Sequence, residues 1–112
     1  MVRPDGGGMN RGEIWTIGAP GDLRYRVVVL SGSAHNQRPG AAPYCAPIVR
    51  HHGTDDLPPF VVPLAETDPL SGVVVVNRMR RLNVSAAVER IGMVTGASMA
   101  RLDAAMRDLF EL

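Results

Sequence analysis

Apolar positions in this chain keep two rhythms. From Gly12 to Thr95 they come in short runs, partly alternating with polar residues and punctuated by Gly, Pro and Asp, which is the pattern of β-strands. The runs predict strands near 13–17, 25–31, 44–50, 60–64, 73–82 and 91–95, with the clearest breaks at Pro58-Pro59 and Asp68-Pro69-Leu70-Ser71-Gly72. A short helical turn is expected over 85–89, with Ser85 as its N-cap. Beyond Thr95 the spacing changes to threes and fours. Met99, Leu102, Met106 and Leu109 form one apolar stripe on a helix over 97–110, Arg101, Asp108 and Glu111 fall off it, and Thr95 and Ser98 compete as its cap. The methionines in the stripe are core filler. Val73-Val74-Val75-Val76 is apolar on both strand faces and needs cover on both sides, for which a second subunit is a candidate. The expected architecture is mainly β, a small barrel or sandwich closed by one amphipathic C-terminal helix.

Length and composition narrow the class. A chain of 112 residues makes one domain, able to bury roughly two-thirds of its unfolded surface. The hydrophobic fraction of 46% and charged fraction of 21% are those of a soluble globular protein. No apolar run approaches the ~20 residues of a membrane span, and no apolar signal segment opens the chain, so a cytoplasmic location without membrane contact is expected. Residues 1–8, with three consecutive glycines, are expected to be a disordered extension before a domain over 9–112, with Met9 a candidate start. These glycines are not a phosphate-binding loop, since no strand precedes them and no Gly-Lys-Ser/Thr follows. Cys45 has no partner for an internal disulfide and is expected to be a small buried residue.

Net charge is only +1, so no global basic field can attract nucleic acid. All twelve basic residues are arginine, whose planar fork suits phosphate oxygens and base stacking, and Arg78, Arg80 and Arg81 cluster as a candidate phosphate contact. Three histidines and one cysteine lack metal-ligand spacing, so no metal or other cofactor is expected. Ser31, Ser33 and Ser71 have no nucleophile setting.

Four stretches carry a resemblance. Arg11-Gly12-Glu13-Ile14-Trp15, the run RVVVLSGSAHNQR from Arg26 to Arg38, Ala46-Pro47-Ile48, and RIGMVTGASMARLDAAMRDLFEL from Arg90 to Leu112 resemble, in order, the first three strands and the closing strand and helix of the MazF/PemK toxin family. The resemblance implies an SH3-like β-barrel of the MazF/CcdB type with a C-terminal helix, assembled as a homodimer that binds single-stranded RNA in a groove between protomers. It also implies a metal-free endoribonuclease leaving a 2′,3′-cyclic phosphate and a 5′-hydroxyl, silenced by a cognate antitoxin whose tail fills that groove. Such chemistry needs an activated 2′-oxygen, charge stabilisation on the phosphorane and a proton for the leaving 5′-oxygen.

Matched to the family pattern, its catalytic Arg falls on Tyr25 and the following Pro on Arg26. Arg24 and Arg26 flank Tyr25 and, by strand alternation, face away from it unless a bulge re-aims one of them. The second catalytic position, usually Thr or Ser, is Val49, followed by Arg50, His51 and His52. The expectation is therefore that Arg24 or Arg26 stabilises the phosphorane and that His51 or His52, with His35 a further candidate, moves protons. An Arg-x-Asp pair of some relatives corresponds to Val75 and Asn77, an RNA-contacting Gln to Arg78, and a commonly basic position to Arg80. Tyr25, His35, Arg50, Asn77, Arg78 and Arg80 are thus candidate substrate contacts, and Tyr25 and Tyr44 can stack on bases if exposed. Glu13 is expected to tie down the first strand, and Trp15 to lie in the core. Two alternatives stand beside the nuclease: a non-catalytic RNA- or protein-binding member, and a gyrase poison of the CcdB type. The latter family is known for a Trp-Gly-Ile tail, where this chain ends Phe110-Glu111-Leu112.

Overall fold

The computed structural model describes residues 8–18, 24–51 and 57–112. Seven strands, β1 (Glu13–Ile17), β2 (Tyr25–Val29), β3 (Tyr44–Val49), β4 (Val61–Pro63), β5 (Val73–Val75), β6 (Arg80–Arg81) and β7 (Ala87–Met93), build one antiparallel sheet in the order β4-β5-β3-β2-β1-β7, with β6 also on β3. Two helices accompany it, the single turn α1 (Ser33–Asn36) and the long α2 (Gly96–Phe110). The sheet curls without closing, and two register shifts between β1 and β7 bend its far edge. The expected barrel-like sheet with a covering C-terminal helix is the fold observed.

Alternation along the strands sorts the side chains into two cores. Ile14, Val28, Ala46, Ile48, Val62 and Val74 face α2, where Leu102 and Ala105 meet them. Met99, Met106 and Leu109 of the predicted stripe pack partly buried around that contact. Thr95 is the cap, its hydroxyl accepting from Ser98 N at 3.2 Å, while Ser98 turns inward. On the other sheet face Trp15, Ile17, Val27, Val29 and Cys45 form a smaller core with Leu82 and Met9. Of the expected N-terminal extension, residues 1–7 lie outside the described residues, and Met9 itself is fully buried.

One predicted strand, 73–82, is broken by a 3₁₀ turn at Val76–Arg78. Its cause lies across the ladder. Leu30 N donates to Tyr44 O, so even-numbered residues of β3 point their backbone groups at β2; Leu82 N donates to Pro43 O, so odd-numbered ones point at β5 and β6. Pro47 belongs to the second set and has no N–H to offer there. Ile48 pairs with Val74 but Cys45 pairs with Arg80, so the neighbouring chain spends three extra residues opposite Ala46 and Pro47. The turn also carries Val76 into the core, and Val73 and Val74 are buried as well. Only Val75 of the valine run stays half-buried, so that run does not by itself demand a second subunit.

The predicted helical turn at 85–89 shrinks to a 3₁₀ turn at Val84–Ala86, capped by Asn83 rather than Ser85, whose N–H and hydroxyl both donate to Asn83 Oδ1. From Ala87 onward pairing with β1 overrides the helical look of the segment, and β7 starts four residues before the expected strand.

Three buried polar side chains tie the loops down. Glu13 accepts from Asn10 N at 2.6 Å, Trp15 Nε1 at 3.3 Å and Arg90 Nε at 2.6 Å, which fixes β1 as expected. Asn36 donates to Met9 O and Ser31 O at 3.0 Å each and accepts from the Ser31 hydroxyl. Asp68 accepts from Ala65 N at 2.6 Å, Thr95 N at 2.7 Å and the Ser98 hydroxyl, joining the loop before β5 to the start of α2. Burial alone would raise the Asp68 carboxyl, but these donors outweigh it and hold it below the usual carboxylate range. At the end of the same loop Gly72 has φ +137°, and a Cβ there would stand 2.8 Å from the Val49 carbonyl oxygen.

Two outcomes follow from these contacts. Asp68→Ala lowers unfolding free energy by about 3 kcal/mol in urea melts. Because the folded carboxyl is depressed, its contribution is complete above about pH 4 and is lost as pH falls through the folded value; Asp68→Asn removes this acid-side loss, visible as a flatter stability curve below pH 4. Gly72→Ala costs about 1–3 kcal/mol and displaces the end of β3, measurable as a Tm drop and as altered amide shifts at Val49 and Arg50.

Candidate functional site

The sheet end formed by the start of β2, the end of β3 and the loop before β5 gathers most of the candidate residues. Arg26 pairs with Ile48, so Tyr25 and Val49 come next across the ladder and share a face with Val27 and Pro47. Register along β2 is unbroken on both of its edges. No bulge re-aims Arg26, and Tyr25 and Arg26 lie on opposite faces.

On the Tyr25 face the smaller core opens into a cavity of about 330 Å³. Val27, Pro47, Val49 and Leu82 form its walls, Cys45 lies among them, and Tyr25, Arg78 and Arg80 supply its polar groups. Burial pushes the Cys45 thiol up to about 12, so it stays protonated and apolar in character, as expected. Arg78 comes from the 3₁₀ turn and Arg80 from β6, so it is the break opposite Pro47, not a shared strand face, that brings the two guanidiniums to one cavity. Tyr25 is 42% exposed, leaving its ring available.

On the opposite face a crease of about 180 Å³ is lined by Arg26, Ile48, Val49, Arg50, Leu70 and Ser71. A shallower depression of about 400 Å³ adjoins it through Arg50 and Ser71 and adds His51 and Gly72. Val49 borders both the cavity and the crease and forms a ridge between them. Among the described residues no carboxylate lines any of the three. Among the described residues the ion pairs are Arg11 with Asp103 and Arg90 with Glu13, and neither involves Arg26, Arg50, Arg78 or Arg80. Although the net charge is only +1, the charged side chains lining these depressions among the described residues are arginines.

The remaining candidates lie elsewhere. Arg24 is exposed ahead of β2, and Asn77 is exposed in the 3₁₀ turn without lining any of these depressions. His35 bonds to Ala42 O at 3.0 Å, stacks obliquely on Tyr44 with ring centres 5.5 Å apart, and lines a separate pocket with Arg38. His52 lies outside the described residues. Sequence reasoning passed over Leu70, Ser71 and Gly72 as lining residues. Their signal was the break itself, a glycine-ended loop that has to return against β3. Among the described residues no three His, Cys, Asp or Glu side chains gather as metal ligands would, and no helix is long and apolar enough to cross a membrane.

Similar folds occur among solved structures. An endoribonuclease from a Mycobacterial species, determined in complex with its cognate antitoxin, superposes with a TM-score of 0.80 at 22% identity over 93% of this chain and 96% of its own. MazF in a MazE-MazF complex from Deinococcus radiodurans gives 0.75 at 25% identity, covering 93% and 97%. Mycobacterium tuberculosis toxin MazF-mt6 gives 0.71 at 19% identity, covering 89% and 97%. No curated protein sequence matches. The family profile described as PemK-like, MazF-like toxin of type II toxin-antitoxin system matches residues 10–110, nearly the whole of the sheet and helix just described, and the chain belongs to that family.

Proposed function

We propose that this toxin is an endoribonuclease that cleaves single-stranded RNA by transphosphorylation, acting in the cytoplasm as a homodimer and held inactive by a cognate antitoxin. In that reaction the 2′-oxygen bonds to phosphorus, the bond from phosphorus to the 5′-oxygen breaks, and the proton lost from the 2′-hydroxyl is balanced by one delivered to the 5′-oxygen. The observation that carries this reading is the crease beside Val49, which Arg26 and Arg50 both line and which His51 adjoins through Arg50 and Ser71. Two guanidiniums there neutralise charge building on the equatorial oxygens of the phosphorane. Proton transfer falls to His51 or to its neighbour His52, because a guanidinium keeps its protons at neutral pH. Arg24, ahead of β2, is the alternative cation. Arg78 and Arg80 hold the chain on the far side of the Val49 ridge. The fold is one on which similar toxins have been solved with MazE or a cognate antitoxin, which supports a protein inhibitor as partner.

A second reading, a member that binds without cutting, is favoured by the residues at the family's two usual catalytic positions. Tyr25 and Val49 share one wall, and Val49 can neither donate nor accept a proton.

Incubation of the pure protein with a long transcript in EDTA separates the two readings, with 2′,3′-cyclic phosphate ends expected at discrete sites and an intact transcript supporting the binder. Arg26→Ala is expected to slow cleavage by about 10²–10³-fold with an unchanged Tm; full activity in both Arg24→Ala and Arg26→Ala would refute the assignment. In single-turnover assays His51→Ala is expected to lose about 10²–10⁴-fold, whereas a loss confined to His52→Ala would move the proton role to that residue.

A further inference from the structure

The cavity on the Tyr25 face is poorly made for a phosphate. Val27, Pro47, Val49 and Leu82 offer no donor, and the Cys45 thiol stays neutral, so an anion drawn inside would lose hydration with little in return. It is equally unlike a purely hydrophobic pocket, since two guanidiniums and a phenol stand among its lining residues. A flat group with an apolar face and a polar edge, attached to an anionic backbone, satisfies both halves.

We propose that this cavity is a specificity pocket for one unpaired nucleobase of the RNA strand, stacked on the Tyr25 ring and read at its edge by Arg78 and Arg80. The inference rests on the proposed action on RNA and adds the base preference. Stacking on an aromatic ring tolerates any base. The edge does not. Arginine has five donors and no acceptor, so the charged side of the cavity rewards carbonyl or ring-nitrogen acceptors and leaves an exocyclic amino group unpaired. Guanine presents O6 and N7 and uracil its O4; adenine and cytosine each bring an amino donor to the same edge. The pocket therefore selects guanine or uracil over adenine and cytosine. Because Val49 borders both this cavity and the Arg26–Arg50 crease, a base seated here leaves its backbone crossing the ridge toward the cationic side.

The test measures binding apart from cleavage. Fluorescein-labelled 2′-deoxy hexamers of uracil, adenine or cytosine lack the attacking 2′-oxygen and cannot be cut, so loss of nuclease activity leaves the measurement intact. Anisotropy titration of the full chain is expected to give affinity for the uracil hexamer about tenfold tighter than for the other two. Tyr25→Ala weakens it by about tenfold or more, Tyr25→Phe retains it, and Arg78→Ala combined with Arg80→Ala erases the preference. Equal binding of the three hexamers by the parent protein, or uracil-hexamer binding unchanged in Tyr25→Ala, overturns the proposal. So does a loss in Tyr25→Phe as deep as in Tyr25→Ala, which would assign the work to the hydroxyl rather than the ring. Binding of no hexamer, together with saturable binding of an acidic, tryptophan-containing peptide that Tyr25→Ala abolishes, would give the cavity to a protein side chain and likewise sink the base pocket.

Discussion

Pro47 stands inside the strand with most neighbours and has no N–H for the one on its outer edge. The chain opposite therefore leaves the ladder after Val75, makes one 3₁₀ turn, and rejoins at Arg80. Much of the molecule depends on that interruption. It turns Val76 into the larger core, leaves Leu82 to close the smaller one, and sets Arg78 and Arg80 over an apolar hollow between them.

A second constraint is the strict alternation of β2 and β3. Since neither strand bulges where they pair, Tyr25 and Val49 fall on one face and Arg26 and Ile48 on the other. The position that the sequence matches to the family's guanidinium thus holds an aromatic ring, and the next residue, Arg26, is turned to the opposite side of the sheet end. The two faces differ in chemistry accordingly. One offers apolar surface with cations among it, suited to a base, and the other offers two cations and an adjoining imidazole, suited to a phosphate in reaction.

The sheet and its loops are held by buried groups that do no chemistry. Glu13, Asn36 and Asp68 are buried, and each is supplied with donors from segments distant in sequence. Asp68 and Gly72 together fix the loop that supplies Leu70 and Ser71 to the crease. Among the described residues Glu13 also pairs with Arg90, and Asp103 pairs with Arg11 nearer the surface.

Local sequence determined the strand-rich body, the amphipathic final helix, the burial of Cys45 and the anchoring role of Glu13, because periodicity and composition report which face of an element is apolar. It could also state that Tyr25 and Arg26 face apart. Four matters needed the tertiary structure: the break at Val76–Arg78, the early start of β7, the choice of Thr95 over Ser98 as cap, and the sorting of five arginines between two faces and a strand entrance. Each depends on what lies across a ladder or beneath a helix. Pro47 decides the break through a hydrogen bond it fails to make with residues thirty positions away, and Asp68 claims the Ser98 hydroxyl from a separate loop. Spacing along a chain carries no record of such partners.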